Sequence, residues 1–276
     1  MVTRSILRPV LRPMPLPLTF DDGPFFPRSL FSAGEQGIWL DPSDFSTLFQ
    51  DAAGTTPVTA VGQPVGKILD KSGRGNHASQ TTSASRPTLQ QDSNGLYYLS
   101  FDGTDDGMAT PSIDFTGTDK MTVWAGVRKL SDAARGLLVE LSASFTGVPG
   151  SFDIEAPSAT LGDRYYFGLN SSAVAVVAST GFAAPLTSVL SCAYDIAGAT
   201  VADEVKPRVN GVAIAGSAGA AGTGNFSNSA LYIGRRGGAS LPFNGRIYQL
   251  IVRGAASNDG QIAATEAWVN GKTRAY

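Results

Sequence analysis

Four short stretches hold side chains that could do chemistry. In SFDIEA, Asp153 and Glu155 stand two residues apart. On a strand that spacing puts both carboxylates on one face, where an acid and a base could flank a glycosidic bond. In FDGTDDG, Asp102, Asp105 and Asp106 offer hard oxygen ligands of the kind calcium takes, although the capping of turns at the strand end is the favoured reading of the same aspartates. LDKSGRGNHAS, Leu69 to Ser79, carries the single histidine, His77, beside glycines and charges of both signs. NGKT at 270–273 has the ending of a phosphate loop, but the glycine such a loop needs five positions before Gly271 is Glu266. The stretch also closes a helix instead of opening one, so its amides point away from an anion.

Most other chemistry is excluded by count. One histidine and one cysteine supply neither a zinc set nor more than one dyad, and no Gly-x-Ser-x-Gly occurs. Cys192 alternates with Leu190 and Tyr194 in SVLSCAY, which predicts a buried core thiol. Around His77, Gly73 and Gly75 suit positive φ, and Ser72 and Asn76 suit hydrogen bonds to nearby backbone. That predicts a turn with His77 as a packing or hydrogen-bonding residue, neither catalytic nor a ligand. Tyr97, Tyr98, Tyr165, Tyr166, Tyr232 and Tyr248 could stack on a sugar. In the adjacent pairs one ring points inward, so the glycan-contacting residues are not assigned from sequence.

The elements that must position these groups are mostly strands. Charged residues make up 16% of the 276, below the usual share of about 25%, and 32 glycines and 16 prolines punctuate short apolar runs. Strands are predicted at 37–40, 95–101, 121–127, 136–142, 164–169, 173–178, 187–194, 207–214, 230–234 and 246–253, with Asn210-Gly211 as a tight hairpin. DPSDFSTLFQD predicts a short helix capped by Asp41. Asn258 and Gln261 form a capping box for a final helix ending at Gly271 and Lys272. Strands in series without helical crossovers predict an all-β, antiparallel two-sheet sandwich with a short C-terminal helix.

Residues 1–30 are different. LRPVLRPMPLPL repeats a proline-containing unit and must run extended, close to polyproline II. Such an arm cannot bury Leu7, Val10, Leu11, Met14, Leu16 and Leu18 against itself, which predicts docking of these residues on a partner. The division expected is an arm over 1–30 and one domain over 31–276. A net charge of −2 provides no positive field for nucleic acid. No apolar run approaches the roughly 20 residues of a membrane span. The prolines interrupt any signal-peptide core, so folding in a cytosol is expected.

DKSGRGNHAS followed by LYYLSFDGTDDGM, and later ALYIGRRGGASLPFNGRIYQLIVRGAASNDGQIAATEAWV, resemble the opening and closing patterns of laminin-G-like, concanavalin A-type jelly rolls over about residues 39–270. GIWLDPSDFSTLFQDAAGTTPVTAVGQPVGKILDKSGRGNHASQ is similar to segments in tail proteins of tailed bacteriophages and prophages. The resemblance implies a non-enzymatic tail, tail-fibre or baseplate component of the virion, made in the bacterial cytoplasm. Its jelly roll would bind host cell-surface polysaccharide, its arm would anchor it to other tail subunits, and it would assemble as a homo-oligomer, a trimer by default. The alternative is a purely structural or decorating subunit. The fold also admits calcium, at Asp102, Asp105 and Asp106, with no other cofactor implied. A more distant alternative is a glycoside hydrolase of this fold, whose Glu-x-Asp-x-(x)-Glu strand SFDIEA imitates in part. Ser151 stands where the nucleophilic glutamate would be, and a serine cannot replace that carboxylate.

Overall fold

The computed structural model describes residues 25–158, 162–178 and 181–276. The arm residues Leu7, Val10, Leu11, Met14, Leu16 and Leu18 lie outside that range, and so does their predicted docking. The strands, in chain order, are β1 (Gly37–Leu40), β2 (Leu48–Phe49), β3 (Lys67–Ile68), β4 (Ala78–Ser79), β5 (Thr88–Gln91), β6 (Tyr97–Asp102), β7 (Met108–Asp114), β8 (Lys120–Lys129) and β9 (Leu137–Leu141). They continue with β10 (Ser151–Glu155), β11 (Tyr166–Asn170), β12 (Val174–Ala178), β13 (Leu186–Asp195), β14 (Val205–Val209), β15 (Val212–Ala213), β16 (Ser217–Gly219), β17 (Asn228–Ile233) and β18 (Asn244–Arg253). A single turn of helix, α1 (Val201–Glu204), and a longer helix, α2 (Asp259–Thr273), complete the chain.

Two antiparallel sheets result, as the strand series predicts. One runs β15-β14-β13-β8-β18-β6-β5 with β1 also on β18, and the other β16-β12-β11-β10-β9-β17-β7-β4-β3-β2. Alternation along each strand sends Val123, Ala125, Val127, Leu190, Cys192, Tyr194, Leu250 and Val252 of the first sheet into the space between the sheets. There they meet Leu138, Phe152, Ile154, Phe167 and Leu231, and the Cys192 thiol is fully buried. Asn210 and Gly211 take φ of 52° and 76° and close the β14–β15 hairpin, since only a type I′ turn of that hand matches strand twist.

The outer face of the first sheet is half covered. Trp39, Trp124, Val189 and Ile251 project outward from β1, β8, β13 and β18 and pack with Leu30, Phe31 and Val269. Leu30 and Phe31 come from a 3-10 turn, Pro27–Phe31, so the packed body already includes residues before Phe31. Gly126 allows α2 to lie close: a Cβ there would sit 2.5 Å from Thr273 Cγ2 and 2.9 Å from Val269 Cγ1.

Two local expectations are corrected. DPSDFSTLFQD forms only a 3-10 turn, Phe45–Thr47, capped by Asp44 and not by Asp41, because Leu48 is drawn into β2 and buried completely. Asn258 and Gln261 do form the capping box, but α2 runs past Gly271 to Thr273 and stops at Arg274 with φ of 50°. The extra turn brings Thr273 against Gly126, where the missing Cβ leaves room for its methyl group.

Candidate functional site

The His77 stretch is a structural turn. Asp70 is its hub: its carboxylate accepts from the amides of Trp39, Ser72 and Asn76 and from Ser72 Oγ. His77 Nδ1 accepts from the Asp70 amide at 3.0 Å. Asn76 Nδ2 donates to the Gly37 carbonyl, tying the turn to β1, while Gly73 and Gly75 take φ of 89° and 78°.

Asp153 and Glu155 share a face, and the structure adds two partners that strand spacing does not reveal. Glu140 on β9 lies opposite Asp153, and Arg236, from the loop after β17, donates Nε to Glu140 at 2.6 Å and Nη2 to Asp153 at 2.5 Å. Arg135 Nε holds Glu155 Oε2 at 2.7 Å. The three carboxylates are sealed, with side chains 0–1% exposed. Ser151 Oγ and Asn170 Nδ2 both donate to the carbonyls of Phe145 and Val148, pulling that loop over the sheet. Burial, reinforced by the Glu155 charge, pushes the Asp153 carboxyl well above the usual range, and burial also raises Glu140. Glu140 Oε1 and Asp153 Oδ1 have no hydrogen-bond partner. Buried in this way, the three carboxylates offer a sugar no exposed surface.

Asp102, Asp105 and Asp106 do come together, each offering a carboxylate oxygen within 4.8 Å of the others. Their turn is also held by its own hydrogen bonds: Asp102 Oδ1 accepts the amides of Thr104 and Asp105, Asp106 Oδ2 accepts the Asp102 amide, and Asp105 Oδ2 accepts Ser85 Oγ. The donor set suits calcium, and the second oxygens of the three residues are those that would hold it.

The open half of the first sheet's outer face carries a different arrangement. One register row crosses five strands: Thr88, Ser100, Arg246, Arg128 and Thr187 on β5, β6, β18, β8 and β13. Beside it a pocket of about 510 Å³ opens past the end of α2, lined by Asp92, Asn94, Arg128, Arg246 and Arg274, with the buried Tyr98 and Tyr248 against it. The two tyrosine rings are 5.2 Å apart, the Arg246 guanidinium stands 4.5 Å from the Tyr98 ring centre, and Arg128 Nη1 donates to Thr187 Oγ1 at 2.9 Å. Tyr248 Oη donates to Asp92 Oδ2 at 3.2 Å. Tyr248 shares this face with Arg246 by alternation, and the bulge between Ile247 and Gln249 reverses the alternation beyond it, sending Leu250 inward and Ile251 outward. Of the six candidate tyrosines, Tyr98 and Tyr248 line this pocket, Tyr165 is core, and Tyr166 adjoins the sealed carboxylates. The facing arginines had no sequence signal, because strand neighbours far apart in sequence cannot be paired by periodicity alone.

A second, mostly apolar cleft of about 900 Å³ lies between β13–β14, the chain leading into β16, and the start of α2, where Ile214, Pro207 and Ile262 contribute. No described helix is long and apolar enough to cross a membrane.

No protein-family model and no curated protein matches the chain. Solved structures do. Botulinum neurotoxin type C, in work describing its cell entry as dependent on two ganglioside molecules, aligns over 73% of this chain and 48% of its own, with 11% identity and a TM-score of 0.51. The binding domain of botulinum neurotoxin DC in complex with rat synaptotagmin II aligns over 73% and 49%, with 11% identity and a TM-score of 0.51. A Trypanosoma rangeli sialidase bound to a difluorinated nononic acid aligns over 88% and 34%, with 15% identity and a TM-score of 0.55. The chain thus spans about half of those proteins or less, and at these identities the likeness shows the fold, a β-sandwich of lectin-like type.

Proposed function

We propose that this chain is a non-enzymatic, glycan-binding virion component, carried on a bacteriophage tail, tail fibre or baseplate and anchored there by residues 1–30. The observation that carries the glycan half is the pocket lined by Asp92, Asn94, Arg128, Arg246 and Arg274: it is open and presents polar groups almost throughout, as recognition of a hydroxyl-rich ligand requires, with Tyr98 and Tyr248 buried against it. The carboxylates that would serve hydrolysis are sealed under the Phe145 loop, and Ser151 occupies the nucleophile's position. Proteins of the same fold whose descriptions name gangliosides and a sialidase ligand support binding of sugars. The tail assignment is supported by the resemblance of residues 37–80 to phage tail proteins.

A structural or decorating subunit is the second reading, favoured by the apolar cleft bounded by Pro207, Ile214 and Ile262, which a neighbouring tail protein could fill. The two part on one experiment. Full-length protein, free and fused to a trimerising helix, is applied to an oligosaccharide array and to extracted bacterial surface polysaccharides. Saturable binding weakened by Asn94→Ala, at an exposed residue of the pocket, supports the adhesin; absence of binding by the trimerised form overturns it and favours the structural role. Display on a multimeric particle would convert weak single-site binding into firm attachment.

A further inference from the structure

Resting on that reading, we infer that the ligand of the sheet pocket is an acidic saccharide whose anionic group sits between Arg128 and Arg246. The two residues are direct cross-strand partners on one face of β8 and β18. In that position side chains start about 5 Å apart, and like charges oppose the pairing. Among the described residues no carboxylate lies within salt-bridge distance of Arg128, Arg246 or Arg274. All three line one pocket, in a chain whose net charge is −2.

The pocket's acid is already engaged. Asp92 accepts from Tyr248 Oη and, through Oδ1, from the amides of Asn94 and Leu96. The pocket therefore holds three guanidiniums against one carboxylate. Each arginine of the facing pair is also braced from the side: Arg128 by Thr187 Oγ1 and Arg246 by the face of Tyr98. Planar donor forks held this way match a carboxylate, sulfate or phosphate. Asn94, exposed at the same pocket, supplies an amide for the sugar hydroxyls, while the buried Tyr98 and Tyr248 serve to hold the arginines in place. The shared chemistry is an anionic oxygen group on a pyranose ring, which would offset the repulsion between the two facing arginines.

The test is an array of neutral glycans and matched acidic ones, namely uronic acid oligomers, sialylated oligosaccharides and sulfated oligosaccharides, read with the full-length protein. Acidic glycans are expected to be retained, with at least tenfold weaker binding after carboxyl reduction or desulfation of the retained ligand, and steep weakening between about 50 and 500 mM salt. Arg128→Gln with Arg246→Gln should lose at least tenfold in affinity, and the double substitution to lysine should lie between. In the unliganded protein the double glutamine variant should melt no lower than the parent, because it relieves repulsion; a clear drop would mean the arginines are structural and would overturn the inference. Retention of neutral glycans alone leaves the glycan-binding reading standing and removes the acidic one. Retention of none removes both.

Discussion

Asp153 and Gly168 face each other across β10 and β11, and a Cβ at 168 would lie 2.3 Å from Asp153 Oδ1. The same Cβ would come within 2.8 Å of the Phe145 and Tyr166 rings. Glycine at 168 thus makes room for a buried acid and for the loop that covers it. Gly168→Ala should destabilise the protein by about 1–3 kcal/mol, the usual penalty of overpacking a tight site. Urea unfolding checks it; unchanged stability would mean the Phe145 loop yields freely.

Burial and the Glu155 charge keep Asp153 protonated far above its ordinary value of 3.8. The folded protein then holds a proton that the unfolded chain releases above about pH 4. The stability this group contributes is fully present below the unfolded value and is lost as pH rises through the folded one. An asparagine in its place would be neutral throughout and still accept from Arg236. Asp153→Asn should therefore gain on the parent as pH rises above about 4, in unfolding free energies measured from acid to neutral pH. A variant that loses ground with rising pH would show the acid is ionised in its pocket.

The packed body begins before Phe31. Leu30 and Phe31 are 1% and 2% exposed and cover Trp39 and Trp124. Deleting residues 1–24 should leave the melting temperature unchanged and abolish incorporation into particles. Leu30→Ala should cost about 2–5 kcal/mol, as for other large-to-small core changes. A deletion of 1–24 that prevents folding would place part of the arm in the domain's own core.

If the sealed carboxylates are structural, the protein should release no reducing sugar from any glycan it retains. Glu155→Gln should then leave glycan affinity within about twofold while weakening the fold, since Arg135 loses its ionic partner. Steady release of reducing ends, abolished in that variant, would restore the hydrolase reading.

Features that depend on near neighbours and on period were legible in the amino-acid order. Alternation placed Cys192 with Leu190 and Tyr194 in the core, Asn210-Gly211 closed its hairpin, and Asn258 with Gln261 capped the last helix. Gly73 and Gly75 with Ser72 and Asn76 marked a turn around His77, and the absence of helical crossovers announced an antiparallel sandwich. In each case the interacting groups are a few residues apart or repeat every second position. Where burial competed with local signals, local signals failed, as at Leu48, whose place in β2 overrode the predicted helix.

Tertiary structure alone decided the sites. Period two says that Asp153 and Glu155 share a face, yet nothing in it brings Glu140 and Arg236 beside them or lowers the Phe145 loop over all of them. Arg128 and Arg246 become partners only because β18 lies between β8 and β6 in the first sheet, with Arg246 in register opposite Arg128. Strand order and register are settled by the burial of whole sheet faces against each other. That choice is made by the packed chain, so the chemistry it assembles is not written at any one stretch of sequence.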